Sequence, residues 1–181
     1  GSDEYPHGGD KYNLDQTYGK LIDYSVTSKT ITVKVQPYDA STDKLADSYI
    51  ETLYTLYNDC VQVQVSVSDF YEFGHENREK QYLPMVLPLS SFGTFYAYTG
   101  NTPWEGKAHS KITASVQFEK KSERWLALGN TSATACFGIY APSADGIEIS
   151  GGNAALYKNE YLPSVGTYTS HYIITVGNMS K

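Results

Sequence analysis

Three stretches of this 181-residue chain alternate apolar and polar side chains with a period of two. Ile31, Val33 and Val35 alternate with Thr30, Thr32 and Lys34. Val61, Val63, Val65 and Val67 alternate with Gln62, Gln64, Ser66 and Ser68. Ile112, Ala114, Val116 and Phe118 alternate with Thr113, Ser115, Gln117 and Glu119. Successive side chains of an extended strand point to opposite faces, so this period builds strands with one wet and one buried face. Such strands belong to antiparallel sheets.

Less regular runs extend the pattern. Residues 20–26, 82–89, 92–99, 124–128, 133–141, 147–150 and 168–177 are further strand candidates, and most of them contain Tyr, Thr, Val or Ile, residues that suit a pleated, half-buried surface. Pro84 and Pro88 assign residues 82–89 to an edge or irregular strand. One segment breaks the period. Leu45, Tyr49, Leu53 and Leu56/Tyr57 recur at helical spacing behind Ser41, Thr42 and Asp43, which supply N-caps. This spacing predicts one α-helix over residues 42–57. The expected fold is mainly β, an antiparallel β-sandwich of about ten short strands with that one helix, a closed barrel being the alternative.

Length and composition agree with a single folded domain over residues 16–181. Residues 1–15 are polar and Gly-rich without periodicity and are expected to form a flexible tether. Charged residues are only 19% of the chain and aromatic residues 14%, the reverse of a disordered sequence. The net charge is −6 and no basic patch stands out, which argues against nucleic acid as a partner. No apolar stretch approaches the ~20 residues of a membrane-spanning helix.

Ser2-Asp3-Glu4 resembles the Ser/Asp/Glu run that follows the lipidated Cys of mature Bacteroidetes-type surface lipoproteins. That resemblance implies export, an outer-membrane or cell-surface location, and membrane attachment only through a lipid on a removed N-terminal Cys. The segment Gly166-Thr167-Tyr168-Thr169-Ser170-His171-Tyr172-Ile173-Ile174-Thr175-Val176 resembles the closing strand of fimbrillin-type β-sandwich surface proteins, departing from it where Ile173 and Ile174 stand side by side. An immunoglobulin-like pattern fits less well, because Thr134 occupies the place two residues before Cys136 where a tyrosine corner needs Tyr.

Catalytic motifs are missing from the sequence. There is no Gly-x-Ser-x-Gly elbow, P-loop or calcium loop, and His75-Glu76-Asn77-Arg78-Glu79 lacks the second histidine of a zincin site. His7, His75, His109 and His171 are scattered, and no metal or cofactor is implied. Cys60 and Cys136 are too few for a disulfide scaffold and fit no zinc spacing. In an oxidising compartment they can pair, a bridge worth roughly 4 kcal/mol in the chain-entropy model. Two separate buried thiols are the alternative. Asn130-Thr131-Ser132 and Asn178-Met179-Ser180 match the N-glycosylation triplet.

Binding chemistry concentrates in residues 99–107. Trp104 stands there beside Asn101 and Glu105 in a Gly/Pro-rich context, and the preceding Tyr96 and Tyr98 share one face of an expected strand. Sugars stack their C–H faces on such rings while amides and carboxylates hold hydroxyls, and exposed Trp and Tyr also anchor proteins. Trp125 heads an apolar run and is expected in the core. The expected function is that of a secreted or surface-anchored bacterial binding protein, recognising glycan or another surface protein through Trp104, Asn101, Glu105, Tyr96 and Tyr98. An adhesin or pilus-related subunit held by strand pairing is one alternative. An enzyme whose site assembles only in the fold is another.

Overall fold

The computed structural model describes residues 19–39, 44–70, 81–86, 92–98, 102, 105, 110–112, 116–119, 123–132, 134–150, 153–158 and 166–177. The expected tether, Ser41–Asp43, Asn101 and Trp104 lie outside the described residues. Among the described residues the chain is mainly β and contains no α-helix. Every pairing described below is antiparallel, as the alternation requires. The chain divides into two compact units, and two long strands contribute to both.

The first unit holds β1 (Lys20–Val26), β2 (Thr30–Gln36), β3 (Tyr38–Asp39), β4 (Lys44–Leu45) and β5 (Tyr49–Leu56). It also takes most of β6 (Cys60–Phe70) and the first residues of β15 (Gly166–Gly177). β1 and β2 form a hairpin whose turn is closed by Thr27. Its amide donates to the Thr30 carbonyl at 2.9 Å, and its Oγ1 accepts from the amides of Lys29 at 3.2 Å and Thr30 at 3.0 Å. A Thr hydroxyl that bonds the following amides replaces the backbone partners a tight turn lacks. β2 pairs on its other side with β5, Thr32 opposite Leu53 and Ile31 opposite Tyr54.

This pairing corrects the helix expected over residues 42–57. Tyr49–Leu56 is an eight-residue strand. Its sequence, Tyr-Ile-Glu-Thr-Leu-Tyr-Thr-Leu, carries β-branched and aromatic residues at five of the eight positions, and these favour strand over helix. The Leu/Tyr recurrence at three and four residues satisfied a helical template, but pairing with β2 decides the conformation. Asn58 and Asp59 then reverse the chain into β6, with the Tyr57 amide donating to the Cys60 carbonyl at 2.9 Å.

The second unit holds β7 (Gln81–Val86), β8 (Thr94–Ala97), β9 (Ser110–Ile112), β10 (Val116–Glu119), β11 (Trp125–Gly129), β12 (Cys136–Tyr140), β13 (Gly146–Ser150) and β14 (Asn153–Lys158). It also takes the start of β6 and the end of β15. Its core is built by Phe95, Ala97, Leu126, Leu128, Ile139, Ala141, Ala144 and Ile147, with Phe92, Ile112, Phe137 and Tyr172 packed against them. Fully burying each large side chain of this set stabilises the fold by roughly 1.5–3 kcal/mol.

Hydrogen bonding assembles the strands into a nine-stranded sheet of order β1-β2-β5-β6-β15-β12-β11-β8-β9 and a four-stranded sheet of order β10-β13-β14-β7. β3 and β4 form a small ribbon of their own. The alternating run at residues 112–119 is not one strand. β9 ends it in the large sheet and β10 begins in the four-stranded sheet. Alternation reports a wet and a buried face wherever a strand lies, so it cannot show that the chain changes sheets between two such strands. β14 was hidden behind Gly151-Gly152. Ser150 stands opposite Asn153, a register that leaves just those two residues between the strands.

Candidate functional site

β8 positions two of the aromatic residues singled out by the sequence. It lies between β11 and β9, with Phe95 opposite Leu128 and Ile112, and Tyr96 opposite Ala127 and Lys111. Strand alternation turns Phe95 and Ala97 to one face, where they join the core, and places Tyr96 and Tyr98 together on the other. Both tyrosines are 8% exposed. The Tyr96 ring covers Gly129 on β11. The Tyr98 hydroxyl meets Thr102 Oγ1 at 3.4 Å, which ties the end of the strand to the loop that follows. Glu105, three residues further, is exposed.

The structure therefore brings Tyr96 and Tyr98 onto one face and links Tyr98 to Thr102. Thr102 was not among the residues the sequence suggested. A small hydroxyl residue in a Gly/Pro-rich loop carries no pattern, and its role emerges only once Tyr98 points at it.

A second cluster surrounds Arg124, which precedes β11. Its carbonyl accepts from the Ala141 amide at 3.0 Å, and its Nε donates to the Ala144 carbonyl. The Ala144 amide in turn donates to the Ala141 carbonyl at 3.0 Å. The guanidinium thus clips the start of β11 to the turn between β12 and β13. This role is structural, and no motif announced it. Trp125, next in the chain, is half-buried at the head of β11.

The two cysteines are free thiols and both are half-buried. Cys60 opens β6 and Cys136 opens β12, and β15 runs between these strands in the sheet. Two strand spacings amount to about 9.5 Å, beyond the ~7 Å that a disulfide can span between Cα atoms. Burial pushes the Cys136 thiol above its ordinary pKa, and a backbone hydrogen bond at Gly177 opposes this in part.

Asn130 closes the β11–β12 hairpin. Its amide donates to the Ala135 carbonyl at 3.0 Å, its Oδ1 accepts from the Ala135 amide at 3.2 Å, and its Nδ2 donates to Thr134 Oγ1 at 2.9 Å. Of the histidines only His171 is described, and it is exposed on β15. Among the described residues no group of three or more His, Cys, Asp or Glu converges to hold a metal ion. No helix among them is long and apolar enough to cross a membrane.

The fold so defined, a long antiparallel sheet accompanied by a four-stranded one, occurs in known structures. No protein-family model matches the chain, and no curated protein matches it in sequence. Among solved structures the chain is similar to the galactosidase domain of the alpha-galactosidase-sucrose kinase AgaSK. The TM-score is 0.53 at 11% identity, over 92% of this chain and 29% of that one. It is similar to HI1317, with a TM-score of 0.51 at 9% identity over 95% of this chain and 71% of that one. A putative aldose 1-epimerase (b2544) from Escherichia coli K12 has a TM-score of 0.48 at 10% identity, over 91% of this chain and 70% of that one.

At such identities the likeness is one of fold. It nevertheless corrects the expectation of a surface binding protein, with an adhesin or pilus subunit as its alternative, and the expectation that the chain is not an enzyme. The solved structures that share this fold include a galactosidase domain. No local motif in the sequence points to such a neighbour, because a shared fold at this identity leaves no local signature.

Proposed function

We propose that this chain is the β-sheet domain of a carbohydrate-processing enzyme. The observation that carries the reading is the match of 92% of the chain to a galactosidase domain at a TM-score of 0.53. The chain spans 29% of that neighbour's length, so the activity proposed is that of the protein in which this domain works. The reaction class is chemistry at the anomeric carbon of a neutral sugar, where proton transfer by paired acids and bases is the general requirement.

The end of β8 supports a sugar contact in this reading. Tyr98, Thr102 and Glu105 supply two hydroxyls and an exposed carboxylate beside one another in sequence. Trp104 and Asn101 add a ring and an amide to the same loop. A sandwich packing of the two sheets is supported within the second unit, where Ile147 of β13 shares one core with Leu126 and Leu128 of β11.

The test is a screen of the protein against nitrophenyl glycosides, for hydrolysis, and against freshly dissolved aldoses, for mutarotation by polarimetry. Binding of the same sugars is followed in parallel by NMR. Turnover or specific sugar binding that falls with Glu105→Gln or Trp104→Ala is the expected result. The absence of both turnover and any sugar-induced shift would overturn the proposal.

A further inference from the structure

Two rows of side chains cross the outer face of the second unit, the face turned away from Leu126, Leu128 and Ile139. In one row Trp125 stands opposite Tyr140, and Tyr140 opposite Ile173. In the next, Tyr96 stands opposite Ala127, Ala127 opposite Gly138, and Gly138 opposite Thr175. Residues directly opposite one another share a face, and the core residues alternate with these along β11 and β12. Two contacts agree with that assignment. A Cβ on Gly129 would meet the Tyr96 ring, and one on Gly138 would meet Thr175 Oγ1. All of these residues belong to the second unit.

The face changes character between β11 and β12. Tyr96, Tyr98 and Ala127 are buried, Ala127 to 5% exposure, whereas Tyr140 is 42% exposed and Thr175 and His171 are exposed. On the buried side Tyr98 meets Thr102, the described start of the loop that leads to Glu105. On the open side the surface forms a ledge. Trp125 and Tyr140 are cross-strand neighbours, with Cβ atoms about 5 Å apart. Roughly 7 Å along the strands, Ala127 and Gly138 raise nothing above a methyl group, which leaves a depression beside the Tyr140 ring. The Thr175 hydroxyl bounds it, and His171 adds an imidazole on the same face of β15.

We propose that this ledge is the floor of a sugar subsite that takes a neutral pyranose, its C–H face on Tyr140 and its hydroxyls toward Thr175 and His171. The inference rests on the reading of the chain as part of a carbohydrate-processing enzyme and deepens it by adding a sheet surface to the loop contacts. The chemistry favours this occupant. A wholly apolar ligand would strip water from Thr175, His171 and the Tyr140 hydroxyl without replacing their hydrogen bonds. An anion would find little fixed charge, because Lys111, the lysine paired on this face, lies four strand spacings or about 19 Å from Thr175. A pyranose offers both an apolar face and hydroxyls, as an aromatic ring with a polar tip requires.

The face also lacks acids. No Asp or Glu occurs among the described residues paired on it. Hydrolysis at an anomeric carbon needs a pair of carboxyl groups. The ledge therefore holds the sugar and takes no part in proton transfer.

Titration of the isotope-labelled protein with methyl pyranosides of glucose, galactose and mannose, followed by NMR, tests this, with thermal melts confirming that each variant folds. Shifts are expected around Gly138–Tyr140 and Ile173–Thr175. Tyr140→Ala and Thr175→Val should each weaken binding roughly three- to tenfold. Val176→Ala, on the opposite face of β15, should leave it unchanged. Where a glycoside is turned over, Tyr140→Ala should raise KM and leave kcat within about twofold. Sugar binding that ignores Tyr140→Ala and Thr175→Val, or that Val176→Ala weakens equally, overturns the subsite and leaves the enzyme reading standing. A fall in kcat at unchanged KM overturns the purely binding role. A protein that neither binds nor turns over any sugar overturns the subsite and the enzyme reading together.

Discussion

The ring of Tyr96 on β8 lies across Gly129 on β11, so close that a Cβ added to the glycine would stand 2.8 Å from Tyr96 Cε2. The two residues are diagonal neighbours, since Gly129 pairs with Thr94 and Ala127 with Tyr96. A buried ring cannot retreat without disturbing the strand it covers. Gly129→Ala should therefore destabilise the protein by about 1–3 kcal/mol. Gly138 offers the comparison. A Cβ there would meet only Thr175 Oγ1, at 2.7 Å, and a threonine can rotate its hydroxyl away. Denaturant melts should rank Gly129→Ala as the costlier change, and Tyr96→Leu should relieve it in the double variant.

Asn130 uses both atoms of its side-chain amide to close the β11–β12 hairpin. Asn130→Ala should cost about 1–2 kcal/mol, whereas Asn130→Asp keeps the acceptor for the Ala135 amide and should cost less. Denaturant melts of the wild type and the two variants check this order.

Cys136 makes stability depend on alkaline pH. Its folded pKa lies above the ordinary thiol value of ~8.5, because burial disfavours the thiolate. Between the unfolded and folded values the unfolded chain has released this proton and the folded chain has kept it. The thiol's contribution is therefore constant below the ordinary value and declines as pH rises through that window. Melts of wild type and Cys136→Ala should diverge in slope only there. Alkylation of Cys136 in the folded protein should also be slower than that of a free thiol.

Arg124 acts through one nitrogen, Nε, on the Ala144 carbonyl. Lysine places its charge at the end of a flexible stem and has no donor at that point. Arg124→Lys should thus destabilise nearly as much as Arg124→Gln, by about 1–3 kcal/mol. If lysine preserves the wild-type melting temperature, charge rather than the Nε hydrogen bond is what matters at this position.

The sequence revealed the strand-forming segments well and their arrangement poorly. Val61–Ser68 lies within β6, because a half-buried strand must alternate, and residues 20–26 are β1 although their alternation is less regular and the strand is exposed throughout. Tyr49–Leu56 was misread because three- and four-residue spacing of Leu and Tyr also occurs on a strand, where only the neighbour decides. Tyr96 and Tyr98 could be placed on a common face by parity. That Tyr96 needs a glycine beneath it, or that Tyr98 reaches Thr102, depends on partners which no periodicity names. The galactosidase domain that shares this fold is only 11% identical to the chain, so composition could not have pointed to it.

The two compact units are threaded through one another along the chain. The polypeptide passes between them after Leu56, Gln62, Arg78, Glu160 and Ser170, and both β6 and β15 run unbroken through such a point. Each unit is built from three separate segments, so no single cut of the chain isolates either one, and cleavage at one loop cannot release a unit intact.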